Sequence, residues 1–185
     1  MRENKIYKDS IILIGPSGAG KSTVAEELSK KTGLPRLCID KIENHYRGTG
    51  FMRKFRNSDE FNAYMLLEEL KRAEEIGQAG VVDLGAGHSV YRDQNIFNSI
   101  KKAFSSFENV VLLLPSVNVM ESLKIMNDRA IGDTRENLFF LTSPCNCELA
   151  TMTVYTNDKN VEQIAYEILE RIKKKSERDS FENEK

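Results

Sequence analysis

Gly15-Pro16-Ser17-Gly18-Ala19-Gly20-Lys21-Ser22 is a complete G-x-x-x-x-G-K-[ST] sequence, and it follows directly on the apolar run Ile11-Ile12-Leu13-Ile14. A strand that runs into a glycine-rich turn and on into a helix is the context in which such a turn binds phosphate. The glycines let backbone N–H groups turn inward around a polyphosphate, Lys21 reaches the β and γ phosphates, and the Ser22 hydroxyl ligates Mg²⁺. Thr23-Val24-Ala25-Glu26-Glu27-Leu28-Ser29-Lys30-Lys31 continues as a helix, with Val24, Ala25 and Leu28 on one side and Gly33 as its stop. The positive end of that helix dipole faces the phosphates. Gly15, Ser17, Gly18, Ala19, Gly20, Lys21, Ser22 and Thr23 are therefore assigned to the nucleotide and Ser22 to the metal, with ATP and Mg²⁺ as the expected cofactors.

Strand-like runs recur at Ser10 to Ile14, Leu37 to Ile39, Val81 to Leu84, Val110 to Leu114 and Thr151 to Tyr155, with helical stretches between them. This alternation predicts an α/β P-loop three-layer fold, a five-stranded parallel sheet with helices on both faces. A helix is expected from about Ser58 to Gly77, and a last one from Val161 to Ile172, led by a capping box of Asn160 and Gln163. At 185 residues the expectation is one kinase domain over residues 1–175. The polar, glycine-containing stretch at about 128–147 is expected to be a mobile lid. Residues 176–185 form a charged C-terminal tail, and the chain is expected to fray beyond Ile172.

Lys and Arg number 27 against 28 Asp and Glu, so the charge balance points to neither nucleic acid nor an acidic membrane as partner. No apolar run approaches the roughly 20 residues that span a bilayer, and Met1-Arg2-Glu3-Asn4-Lys5 leads into the strand without a signal-type apolar segment. A cytoplasmic protein is expected, with a small-molecule partner; oligomeric state is left open, a monomer being one option. Cys38, Cys145 and Cys147 do not make a disulfide framework, and the Cys145/Cys147 pair has only His45 and His88 in the chain as histidine co-ligands for zinc. Reduced thiols are the expectation.

Other features narrow the class of phosphate-binding protein. Asn157-Asp158-Lys159-Asn160 is not the N-K-x-D segment that reads guanine, and the chain is short for an ATP-driven machine. Ile39-Asp40 and Val81-Val82-Asp83-Leu84-Gly85-Ala86-Gly87 both end strands, at the edge where open α/β sheets bind ligands. Asp40 is a candidate to orient an acceptor hydroxyl or take its proton, and it is also placed to cap the helix that follows. Asp83 is a candidate to hold Mg²⁺ through water, while Gly85 and Gly87 admit a second substrate close to the backbone.

These residues resemble the shikimate kinase family, within the wider nucleoside monophosphate kinase-like group, from about Ile11 to Ile172. The specific matches are Asp40-Lys41-Ile42-Glu43, Phe55-Arg56 ahead of a long helix, and Gly85-Ala86-Gly87 where the family has three glycines. The resemblance implies that Asp40, Arg56, Gly85, Ala86 and Gly87 bind the acceptor, that Arg129 is the lid arginine stabilising the transferring phosphoryl group, and that Asn157 lies in the adenine-contacting loop. Lys21, Asp40 and Arg129 are then the catalytic set. Three positions depart from the family pattern: Thr142 stands where a second substrate arginine is usual, Cys38 where an additional aspartate is frequent, and Ala86 at the middle glycine. The expected activity is ATP-dependent transfer of a γ-phosphate to a hydroxyl of a small anionic acceptor. The alternatives are a nucleoside or nucleotide kinase, in which Arg47, Arg53 and Arg56 grip the acceptor, or an ATP-binding regulator without catalysis.

Overall fold

The computed structural model describes residues 2–129 and 133–182. Five parallel strands, β1 (Ile11–Ile14), β2 (Arg36–Cys38), β3 (Val81–Asp83), β4 (Asn109–Leu114) and β5 (Met152–Tyr155), form one sheet in the order β2-β3-β1-β4-β5. β1 is central and buried at every residue. Its side chains alternate between two cores, as strand geometry requires. Ile12 and Ile14 pack with α4 (Ser58–Ile76), α5 (Gln94–Phe104) and α8 (Pro144–Leu149), while Ile11 and Leu13 pack with α2 (Lys21–Thr32) and α9 (Val161–Glu182). The remaining helices are α1 (Arg2–Asp9), α3 (Ile39–Gly48), α6 (Val119–Asp128) and α7 (Thr134–Thr142). The three-layer architecture follows from those two apolar faces.

The helix ends match their sequence signals. α2 stops at Gly33 and α4 at Gly77, both glycines with positive φ. The Asn57 side chain accepts from the Glu60 N–H at the start of α4, and the backbone N–H of Asn160 and the side chain of Gln163 make the expected reciprocal contact before α9.

Four features differ from the sequence reading. α1 was not foreseen; its Ile6 is buried and its Tyr7 ring meets Phe107 edge-on at 5.1 Å. β2 ends one residue early, because Ile39 is drawn into the core as the first residue of α3, and the N-cap is Cys38 rather than Asp40. α9 does not fray after Ile172 but runs to Glu182. Lys, Glu and Arg are good helix formers, each residue added to an existing helix gains a hydrogen bond, and Lys175 Nζ donates to the Glu108 carbonyl at 2.8 Å. The stretch expected to be a lid is largely helical, and its far end belongs to the core: Cys145 and Leu149 of α8 are buried. Ala130 to Gly132 lie outside the described residues. Among the described residues no helix is long and apolar enough to cross a membrane.

Candidate active site

β1 runs between β3 and β4, so the chain leaves it at the point where the strand order reverses. Crevices for ligands open there, at the carboxyl ends of the strands. The Gly15–Ser22 turn fills that position. Gly15 has φ +133°, and a Cβ there would lie 2.3 Å from the Leu113 carbonyl oxygen, so any side chain would push the turn off β4. Ala19 is fully buried with its methyl in the core, which leaves its backbone facing the turn. Ser22 and Thr23 are exposed on the first turn of α2.

Lys21 is buried, and its ammonium donates to the carbonyls of Gly15 at 2.9 Å and Pro16 at 2.8 Å. Burial pushes its pKa down to about 8, against the attraction of Asp83 and Asp40. A buried ammonium held only by neutral carbonyls is a poised binding site for a polyanion. Arg129, capping α6, donates to the Gly18 carbonyl at 2.8 Å from the other side of the turn. Together Ser17, Gly18, Gly20, Lys21, Ser22, Thr23 and Arg129 line a cleft of about 430 Å³, closed on its far wall by Asp40, Leu84, Gly85 and Ala86. This cradle of glycine-rich backbone, buried cation and serine hydroxyl fits a nucleoside triphosphate. Its oxygen donors suit Mg²⁺, which takes hard ligands and keeps much of its coordination for water and phosphate. Among the described residues no group of three His, Cys, Asp or Glu is placed to hold a metal ion.

The far wall is built on Asp40. A Cβ on Gly85 would fall 2.0 Å from Asp40 Oδ1, so the carboxyl rests directly against the glycine backbone. Although half-exposed, the Asp40 carboxyl is held above the ordinary carboxylate range, by burial first, with Lys21 opposing, Asp83 adding and Arg47 opposing. His88, buried in the turn that follows, brings Nδ1 to 3.8 Å from Asp40 Oδ1. Arg47 lies on α3 at i+7 from Asp40, and its guanidinium donates to Asn62 Oδ1 at 3.2 Å. Asn62 in turn donates from Nδ2 to the Gly87 carbonyl at 3.2 Å. Asn62 and His88 were not expected at this wall from sequence, and Arg47 was named only beside Arg53 and Arg56 as a grip on the acceptor of a nucleoside or nucleotide kinase. Only Arg47 carried a usable signal, its helical register with Asp40.

Several expected site residues stand elsewhere. Asp83 was expected to reach Mg²⁺ through water, but its buried carboxylate takes Arg36 at 2.6 Å and is not among the residues lining the cleft. The reason is register: Cys38 pairs with Asp83, and Arg36, two residues before on the same strand face, extends its long side chain up to the neighbouring strand. Asp83 therefore acts on Lys21 through charge. Breaking this pair in Arg36→Leu leaves a buried carboxylate without its cation, and a loss of about 3 kcal/mol is expected in urea unfolding; a change under about 1 kcal/mol would show the pair to be dispensable. Arg56, expected to bind the acceptor, is not among the residues lining the cleft. Its side chain is 89% exposed and its guanidinium is held by Glu60 at 2.6 Å, the carboxylate that also accepts the Arg56 backbone N–H at 2.8 Å. Asn157 follows β5, with its N–H on the Pro115 carbonyl and its side chain on Asp158, and does not line the cleft. Gly87 contacts Asn62 behind the cleft, and Thr142 is exposed with its hydroxyl on the Leu138 carbonyl of its own helix. Cys145 is buried with Sγ toward the Tyr91 carbonyl, whereas Cys147 is exposed.

The fold and the cleft define a class, the P-loop phosphotransferases that act on small molecules. A family model described as Shikimate kinase matches residues 17–173. The chain belongs to the shikimate kinase family. It is 28% identical over 170 residues to the shikimate kinase of Pseudomonas fluorescens, covering 88% of this chain and 95% of that one. The shikimate kinase of Sulfurihydrogenibium is 29% identical over 179 residues, covering 90% and 99%. Among solved structures, a shikimate kinase from Acinetobacter baumannii in complex with shikimate aligns with a TM-score of 0.66 at 21% identity, covering 95% of this chain and 98% of its own. A gluconokinase from Sinorhizobium meliloti aligns over the same shares with a TM-score of 0.62 at 17% identity. The protein is an ATP-dependent small-molecule kinase that uses Mg²⁺ and transfers phosphate to a hydroxyl group.

Proposed function

We propose that the chain phosphorylates a hydroxyl of a small polyhydroxylated carboxylic acid, shikimate or a close analogue, held between Asp40 and the Gly85–Gly87 turn. The observation that carries this reading is the seating of the Asp40 carboxyl against Gly85, across the same cleft from Lys21. A hydroxyl bound to Asp40 there would share the cleft with a phosphoryl group bound to Lys21, as transfer between the two requires. The relatives named shikimate kinase, and the structural likeness to a gluconokinase, support an acid of this kind. Residues 1–175 form the kinase domain in this reading, and the segment between α6 and α8 is its lid.

Each residue then has a defined task. The turn amides of Gly15 to Ser22, Lys21 and Thr23 bind the nucleotide phosphates, with Asn157 near the base. Ser22 ligates Mg²⁺, whose part when bound is to neutralise charge on the β and γ phosphates. Asp40 orients the acceptor hydroxyl and takes its proton as the bond from that oxygen to the γ-phosphorus forms and the bond from that phosphorus to the β–γ bridging oxygen breaks, releasing ADP. Arg129 meets the charge developing on the transferring group. Gly85 and Ala86 give the acceptor a flat wall.

Release of ADP from Mg²⁺ATP, measured with shikimate, gluconate and neutral polyols as acceptors, tests the reading. Acceptor-dependent turnover with at least one of the acids is expected, and its absence from every acid overturns the proposal. Gly85→Ala carries a second test. The added methyl overlaps Asp40 Oδ1 and displaces the carboxyl, and since misplacement by about 1 Å costs on the order of 10²-fold, turnover should fall by about that factor. Unchanged turnover would mean that Asp40 has no part in orienting the acceptor.

A further inference from the structure

Asp40 can take a proton from an acceptor hydroxyl only if one of its oxygens is aimed there, and a half-exposed carboxylate is aimed by what grips its other oxygen. We propose, on the reading of the cleft given above, that His88 is the residue positioning Asp40: its Nδ1–H donates to Oδ1 when the acceptor is bound, and Oδ2 is thereby turned to the acceptor.

The two oxygens of Asp40 stand in different surroundings. A Cβ on Gly85 would lie 2.0 Å from Oδ1 but 3.0 Å from Oδ2, so Oδ1 is the oxygen pressed on the turn. The same Oδ1 is the one that His88 Nδ1 approaches, at 3.8 Å. The ring comes from a fixed platform. His88 is 1% exposed, its backbone N–H donates to the Gly85 carbonyl at 3.0 Å, and its carbonyl accepts the Tyr91 hydroxyl at 3.0 Å. Asn62 ties the carbonyl of the neighbouring Gly87 to α4. The two partners are thus unequal in freedom: the imidazole is buried, whereas the Asp40 side chain is 54% exposed and has room to close the remaining distance of about 1 Å to a hydrogen bond. Catalytic hydrogen bonds commonly tighten in this way only in the substrate complex. Elementary chemistry then gives the bond its direction. Burial favours the neutral imidazole, which has a single N–H. With that proton on Nδ1 the carboxylate meets a donor, and with it on Nε2 the carboxylate meets a lone pair. An ionised Asp40 therefore sets the tautomer of His88, and that tautomer in turn favours the ionised Asp40.

Kinetics with shikimate and gluconate as acceptors compare the wild type with His88→Asn, His88→Gln and His88→Leu. The amide nitrogen of asparagine falls near the Nδ1 position and that of glutamine near Nε2, so the series separates the place of the donor from polarity and from packing. His88→Leu and His88→Gln should lower kcat about 10- to 100-fold, leave the KM for ATP within about twofold, and move the acid limb of kcat to higher pH, because a donor to the ionised carboxylate is lost. His88→Asn should stay within several-fold of the wild type with its limb in place. Lys21, Asp83 and Arg47, the charged groups that act on Asp40 from α2, β3 and α3, are the same throughout, so a moved limb reports on His88. Nitrogen NMR of the two histidines, told apart by His45→Gln, reads the tautomer without turnover. A proton on Nδ1 of His88 at neutral pH is expected, with a resonance that follows the ionisation of Asp40 and ceases to do so in Asp40→Asn. Thermal melting checks that each variant is folded, and the NMR result on the wild type carries the test for any that is not. An Nδ1 without its proton, or His88→Gln as active as His88→Asn, overturns the inference while leaving the kinase reading intact. Absence of wild-type turnover with either acid overturns both.

Discussion

Lys21→Met should abolish phosphoryl transfer, lowering kcat/KM by about 10³-fold or more, and should at the same time make the protein more stable at neutral pH. The loss of activity follows because the buried Lys21 ammonium sits on the Gly15 and Pro16 carbonyls of the turn, at the wall of the cleft that the proposed reading assigns to the nucleotide phosphates. Removing a single preorganised electrostatic contact to a developing charge costs on the order of 10²- to 10³-fold, and here the same contact also binds ground-state phosphate. The gain in stability follows from its pKa. Burial lowers Lys21 from 10.5 to about 8, so below about pH 8 the folded protein holds a charge that the unfolded chain solvates better. Between about pH 8 and 10.5 the unfolded state binds more protons, and stability rises with pH as the folded-state ammonium is neutralised. At pH 7 the full penalty is present, an upper estimate of about 3 kcal/mol, and methionine removes it. Urea denaturation at pH 7 and pH 10 should show a stabilised variant at the lower pH and a smaller difference at the higher. A variant that is both inactive and strongly destabilised at pH 7 would point to a structural lysine.

Asp40→Asn should lower turnover by about 10³-fold with little change in the KM for ATP, the loss typical of removing a positioned general base. Amide and carboxylate are nearly isosteric, so the contact with Gly85 survives and the effect isolates the charge. The pH profile gives an independent signature. Burial raises the Asp40 pKa above the ordinary carboxylate range, and in the proposed reading it is the ionised form that takes the acceptor's proton. The acid limb of kcat/KM should therefore lie above the range of an unperturbed aspartate, with activity falling as pH drops through the raised value. The variant should lose that limb. Its melting temperature should be equal or higher, because above the folded pKa the ionised carboxyl is what burial disfavours. A profile with the same acid limb in the variant would assign the limb to another group.

The donor half of the site was legible in the sequence because it is local. Gly15 to Ser22 are contiguous, and a glycine-rich turn between an apolar run and a helix has few other ways to fold. The sheet was legible for a similar reason, each buried strand being a short apolar run with its own boundaries. The acceptor half depends on contacts between distant segments. That Asp83 faces Arg36 follows from the pairing of β2 with β3, which periodicity does not reveal. That Asn62 bridges Arg47 to Gly87 depends on how α3 and α4 cross beneath the turn. Arg56 was chosen by motif, yet Glu60, one helical turn on, is close enough to claim it. The N-terminal helix α1 is not legible in the sequence: among its residues with described burial Ile6 alone lies deep in the core, too little to make a pattern.

Lys21 and Asp40 line one cleft, and the proposed function makes them donor-side and acceptor-side partners in phosphoryl transfer. A phosphorus NMR time course with Mg²⁺ATP and shikimate or gluconate, run for the wild type, Lys21→Met and Asp40→Asn, tests it most directly. The predicted result is a phosphomonoester signal growing as the γ-phosphate signal falls in the wild type, with neither change detectable in the variants over the same time. Formation of inorganic phosphate alone in the wild type, or an undiminished rate of monoester formation in Asp40→Asn, would contradict it.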